Sequence, residues 1–284
     1  MCQGCELTGE EAKNIDELDC GGCILLTSLP DLPLCTRLDC WGCTALISLP
    51  DLPLCTTLDC WGCTALLSLP DLPICTILYC VGCTSLTSLF DLPLCTRLWC
   101  NDCTLLVSLP DLPLCTRLNC WGCTSLLSLP DLPVCTILYC VGCTSLTSLF
   151  DLPVCTILWC NDCTSLISLP DLPLCINLSC RNCTSLTSLP DLPVCTELRC
   201  GNTLLTYLPD LLVCNILWCN DLPHLTQINV SDNCDVVCDN SPISGYNNDL
   251  YLSYTHERNN LISSSINNSH NYEQGVVSII VGYL

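Results

Sequence analysis

The chain has 284 residues, half of them apolar and only 12% charged, with a formal net charge of −21. This balance supplies a large core, and it excludes nucleic acid and anionic membrane as main partners, because both repel so acidic a protein. Met1 leads into Cys2, Gln3, Gly4 and Cys5 without a basic start or an apolar run, and no stretch approaches the ~20 apolar residues of a membrane-spanning helix. Neither a secretory signal nor a membrane segment is expected.

The first predicted element is a cap. Thr8-Gly-Glu-Glu11 has the form of a capping box, with Leu7 and Ala12 placed as a hydrophobic staple. A short helix from Gly9 to about Glu17 would shield the first strand edge, making 1–17 an N-terminal cap.

A repeat then runs from about Ile15 to Cys219. Leu38-Asp-Cys40-Trp-Gly-Cys43-Thr-Ala-Leu46-Ile-Ser-Leu49-Pro50-Asp-Leu52-Pro53-Leu-Cys55 is one unit, and the frame returns every 20 residues at Leu58, Leu78, Leu98 and onward to Leu198. A fixed period of this length means a solenoid, whose units bury their apolar faces only by stacking on one another. Leu38 and Cys40 alternate with Asp39 and Trp41, the pattern of a short half-buried strand. Pro50 and Pro53 cannot continue a helix and push Leu49 and Leu52 towards extended backbone. Strands stacked ~4.8 Å apart would form one parallel sheet, roughly 50 Å long for the eleven frames from Leu18 to Leu217. One residue is lost near Gly201–Thr203. Nine more are expected to be missing after Asp221, with Leu225-x-x-Ile228-x-Val230-x-x-Asn233 as the last strand and 18–233 as the solenoid. Residues 234–284 then read as an Asn/Ser-rich C-terminal cap or tail, with possible strands at Asp249–Thr255 and Val276–Tyr283.

The frame C-x-x-L-x-C-x-x-C-x-x-L-x-x-L-P-D-L-P-x resembles the 20-residue leucine-rich repeats of bacterial effectors such as the YopM and IpaH families. Their L-x-x-L-P-x-L-P return leg is matched at Leu46–Pro53. Similar cysteine-rich versions are encoded by giant DNA viruses of amoebae. The departure is Cys where the family has Leu, Val or Asn. The resemblance implies a β-rich leucine-rich repeat solenoid, with short parallel strands on a concave face and extended or polyproline return legs. It implies a protein-binding module acting in a host cytosol. The IpaH-type ubiquitin-ligase activity is not carried over, since only about 50 residues follow the repeats.

Three features are candidates for function. The six Trp read as two outward-facing strand columns, Trp99, Trp159 and Trp218 in one, with Tyr79 and Tyr139, and Trp41, Trp61 and Trp121 in the other. Exposed Trp and Tyr dominate binding hot spots, although the same rings also stack along a sheet and stiffen it. Arg37, Arg97, Arg117, Arg181 and Arg199 lie on or beside these strands, among only seven basic residues, and suggest an acidic patch on a protein partner.

The second feature is the 34 cysteines, most of them in three columns of the repeat. Cys40-x-x-Cys43 has zinc-knuckle spacing. In the frame, however, Cys40 takes an inward Leu position and Cys43 takes that of the turn Asn, so buried reduced thiols in a cytosolic protein are expected, with no metal and no other cofactor. Cys234 and Cys238, with His256 and His270, have no standard zinc spacing and read as loop residues. The third feature is an Asp column from Asp31 to Asp191 and then Asp210, expected to be a solvated edge capping return-leg N–H groups.

No nucleophile–base pair can be assembled from the frame, so the protein is not expected to be an enzyme. Two other readings stay open. Residues 51–110 and 111–170 match at 52 of 60 positions, and so repetitive a face suits self-association in a virion or filament. The cysteine ladder suits a metal- or thiol-binding protein.

Overall fold

The computed structural model describes residues 7–243. After Thr8, helix α1 spans Gly9–Ala12, closed by the expected capping box: Thr8 accepts from the Glu11 N–H, and the Glu11 carboxylate accepts from the Thr8 N–H. It is shorter than expected. Asn14 and Ile15 bond to Glu11 and Ala12, three residues back, which tightens the chain out of the helix before the first strand.

Twelve strands of three residues follow: β1 (Glu17–Asp19), β2 (Arg37–Asp39), β3 (Thr57–Asp59), β4 (Ile77–Tyr79), β5 (Arg97–Trp99), β6 (Arg117–Asn119), β7 (Ile137–Tyr139), β8 (Ile157–Trp159), β9 (Asn177–Ser179), β10 (Glu197–Arg199), β11 (Ile216–Trp218) and β12 (Asp235–Val237). They form one parallel sheet in chain order. Registers pair equivalent positions, Leu18 with Leu38 and so on to Leu217 with Val236. Each central residue points inward, and the two flanking side chains face outward.

The core is a set of columns. Leu38, Cys40, Cys43, Leu46, Leu52 and Cys55 and their counterparts are buried, with Cys23 of the first unit half-buried. The return legs contain no helix, as their prolines require. A threonine column stitches the strand entries: the Thr56 N–H and hydroxyl both donate to the Thr36 carbonyl, at 2.8 and 3.1 Å, and Thr76 repeats this on Thr56.

The C-terminal end differs from expectation. The last strand is Asp235–Val237, paired with β11, and Leu225–Asn233 is the return leg before it, joined to the preceding unit by a bridge between Leu211 and Val230. Leu217 is therefore followed by a 19-residue unit and not by a truncated one. Leu225-x-x-Ile228-x-Val230 imitates the strand spacing because this return leg has lost its prolines. The repeat thus runs past Asn233. Cys234 and Cys238 are members of the repeat columns rather than loop residues, both buried, with the Cys238 thiol donating to the Ile243 carbonyl. The expected strands at 249–255 and 276–283, together with His256 and His270, lie outside the described residues.

Candidate functional site

The turn after each strand needs one residue with left-handed backbone. Gly22, Gly42, Gly62 and Gly82 supply it in the first units, then Asp102, Gly122, Gly142, Asp162, Asn182, Asn202, Asp221 and Asn240. These are the residue types that tolerate that conformation. Where the column turns polar it forms its own ladder: Asn182 donates to Asp162 at 2.8 Å, Asn202 to Asn182 at 3.1 Å, and Asn240 to Asp221 at 2.8 Å.

The residue before it in the turn carries one of the two tryptophan sets. Trp41, Trp61 and Trp121 lie in these turns, two positions beyond the last residue of their strands, and not in a strand column as expected. The strands are only three residues long, so the outward alternation ends before reaching them. The Trp41 ring lies across Gly21, where a Cβ would collide with it, while Trp61 and Trp121 sit 4.0 and 3.7 Å from the Cβ positions of Gly82 and Gly142. The glycine turns thus give these rings a flat bed.

The other set is on the strands. Tyr79 stacks on Trp99 with ring centroids 4.7 Å apart and planes 22° from parallel. Tyr139 and Trp159 repeat the pair at 4.9 Å and 45°. All four rings are half-buried. At the far end the rings are tied into a polar chain: Trp159 Nε1 donates to Asn177, Asn177 donates to Glu197, and Arg199 pairs with Glu197 at 2.9 Å. The Arg199 guanidinium lies 4.5 Å over the Trp218 ring, with Arg181 at 6.0 Å. The sheet therefore brings Tyr79, Trp99, Tyr139, Trp159 and Trp218 onto one face with Arg37, Arg97 and Arg117, which are exposed. Trp41, Trp61, Trp121 and Arg181 border it along the turns.

Asn177 and Glu197 on this face were not singled out from the sequence, nor was the carboxylate pair Asp39 and Asp59. Reading the third strand position down the repeat, Asp19, Asp39, Asp59, Tyr79, exposes that pair. Asp39 and Asp59 are register partners and buried. The Asp59 carboxylate accepts the Trp61 N–H at 3.0 Å, and burial pushes its pKa up to about 6, with Asp39 adding to the rise and Arg37 opposing it. The Asn119 oxygen makes the same bond to Trp121. One buried acceptor, Asn101 Oδ1, has no partner. Its counterpart Asn161 accepts from Ser179 and the Arg181 N–H, whereas the residue at the Ser179 position is Asn119, occupied with Trp121.

The thiols of the Cys43 column do the work of the turn Asn. Cys43, Cys63 and Cys123 donate to the carbonyls of Cys20, Cys40 and Cys100 at 3.0–3.2 Å. At the end the Ser241 hydroxyl replaces the thiol, donating to Cys219 of the preceding unit, whereas Thr203 turns to Cys200 of its own unit. In the Cys35 column, burial pushes the thiols of Cys55, Cys95 and Cys115 up to about 12. Among the described residues no cluster of three or more His, Cys, Asp or Glu is placed to hold a metal ion. The Asp31 to Asp191 row is exposed; the turn N–H groups beside it bond to backbone, as Cys55 N does to the Leu52 carbonyl, so these carboxylates are not their caps. A cavity of about 50 Å³ beside Trp218, lined by Arg181, Asn202 and Asn220, has room for a water or two, against the ~300 Å³ or more of small-molecule sites. No helix among the described residues is long and apolar enough to cross a membrane.

No family model matches the chain, and no curated protein does. Among solved structures it is similar to YopM, a leucine-rich effector protein from Yersinia pestis, at 19% identity over 80% of this chain and 78% of that one, with a TM-score of 0.39. The 20-residue frame and the twelve-stranded parallel ladder that it builds are those of a leucine-rich repeat solenoid.

Proposed function

We propose that the protein is a non-enzymatic binding module that holds a protein partner on the open face of its sheet. The observation that carries this reading is the placement of Tyr79, Trp99, Tyr139 and Trp159 on that face as two half-exposed ring pairs, one stacked and one tilted. A stacked ring presents a rigid apolar surface and loses little freedom when covered, which is why such residues dominate interface energetics. Among the described residues the face has no deep pocket and no assembled acid–base pair, which favours a macromolecular partner over a small substrate. Buried thiols with raised pKa values suit a reducing cytosol, a host cytosol if the protein is an effector or of viral origin.

The test is partner capture by the full chain and by the Trp99→Ala/Trp159→Ala variant, with radical footprinting of the rings. Loss of the captured protein in the variant, and protection of Trp99 and Trp159 in the wild-type complex, is the expected result. A partner retained by the variant, with no ring protected, would move the interface elsewhere. Self-association is the second reading, favoured by the duplicated 60-residue block. It requires concentration-dependent polymers that the same substitutions disperse.

A further inference from the structure

The two nearly identical blocks, 51–110 and 111–170, differ at eight positions. Every difference that changes charge lies on the open face of the sheet: Thr57 against Arg117, Asp59 against Asn119, and Arg97 against Ile157. Their combined effect is local. Arg97, the last strand's contribution from the first block, becomes the register partner of Arg117, the first from the second. Two arginine side chains thus rise from backbones one strand spacing apart, ~4.8 Å.

Like charges directly opposite each other on a sheet are unfavourable, by roughly 0.8 kcal/mol for unit charges ~5 Å apart in water. Two of the other basic groups on this face have acidic neighbours. Arg199 pairs with Glu197, and Arg37 offsets the charge of Asp59. Arg97 and Arg117 are exposed, and the only ion pairs among the described residues are at Lys13 and Arg199. Their strand and register neighbours, Trp99, Asn119, Ile77 and Ile137, carry no charge.

We propose that Arg97 and Arg117 form an anion-binding pair at the centre of the face, which receives two closely spaced carboxylates of an acidic peptide segment in a protein partner. This rests on the reading of the face as a protein-binding surface. A guanidinium offers a planar fork of donors that matches a carboxylate. The apolar side chains one strand away on either side, Ile77 with Tyr79 and Ile137 with Tyr139, fit apolar residues flanking the acidic pair. A nucleic acid strand fits poorly, because a continuous polyanion crossing this pair runs on towards Asp59 and the rest of a −21 chain.

The test uses the full chain and a fluorescein-labelled heptapeptide with glutamates at its third and fifth positions and leucines at its ends, beside a counterpart carrying glutamines. The glutamate peptide is expected to bind about tenfold tighter at low salt, with the preference shrinking as salt screens it. Arg97→Gln with Arg117→Gln abolishes the preference, and Arg117→Thr, which restores the residue found at Thr57, reduces it. Lys13→Gln, a charge change at the far end, leaves it intact. Circular dichroism confirms that each variant is folded. Equal binding of the two peptides, binding of neither, or a preference that survives the double substitution overturns the proposal. Equal binding that Trp99→Ala abolishes would leave the protein-binding face standing without its acidic preference.

Discussion

The Cys63 thiol donates to the Cys40 carbonyl, 3.1 Å away and one turn of the solenoid earlier. The same bond recurs from Cys43 to Cys183, so the turns of these units are tied to the preceding unit through sulfur. Cys63→Ala removes one of two donors to that buried carbonyl, which keeps the Cys43 N–H at 3.2 Å, and opens a small void. A loss of about 0.5–1.5 kcal/mol is expected from the missing hydrogen bond, read as a lower urea midpoint. Cys63→Ser keeps a donor, as Ser241 does towards Cys219 of the preceding unit, and loses less. Equal losses for the two variants would show that volume, not the hydrogen bond, matters at this position.

The thiols also set an alkaline limit. Cys55, Cys95 and Cys115 titrate near 12 when folded, against an ordinary value of 9.0. Between these values the unfolded chain has lost protons that the folded chain still holds, so stability falls as pH rises from about 9 to about 12. Urea midpoints taken at pH 8 and pH 10.5 should drop steeply, and native thiols should resist alkylation at pH 8 until the chain unfolds. A midpoint unchanged across that range would contradict the buried column.

Asp59 acts in the same direction at acid pH. Its folded pKa is raised from 3.8 to about 6, so the stability associated with its neutral form is present below pH 3.8 and lost as pH rises through 6. Asp59→Asn reproduces Asn119, which makes the same bond to the following tryptophan N–H. The substitution is expected to stabilise the protein by roughly 1–3 kcal/mol at pH 7 and by almost nothing at pH 3.5. A stabilisation equal at both values would point to packing rather than charge.

Gly62 tests the turn column. Its φ is +70° and a Cβ there would meet only ordinary contacts with Gly42, so the cost of Gly62→Ala is conformational, about 1–2 kcal/mol. Gly62→Asn should cost less, because Asn182 and Asn202 hold this conformation at φ of 60° and 56°. Thermal unfolding of the two variants gives the order. An alanine variant as stable as wild type would mean that the turn adjusts.

The period, the inward Leu and Cys columns and the prolines of the return legs were legible in the chain itself, because each depends on local spacing and on the steric limits of single residues. So was the capping box of Thr8 and Glu11. The three-residue strand length was not, and with it went the placement of Trp41, Trp61 and Trp121, which lie in turns over glycine rather than on strands. The final strand was misplaced because Leu225, Ile228 and Val230 copy strand spacing in a return leg without proline, and only pairing with β11 distinguishes the two. Stacking decided the rest. Tyr79 meets Trp99, Asp39 meets Asp59 and Arg97 meets Arg117 across 20 residues of chain, since a parallel register sets equivalent positions side by side. Which of those neighbours attract, which repel and which titrate abnormally follows from burial and charge in the assembled sheet.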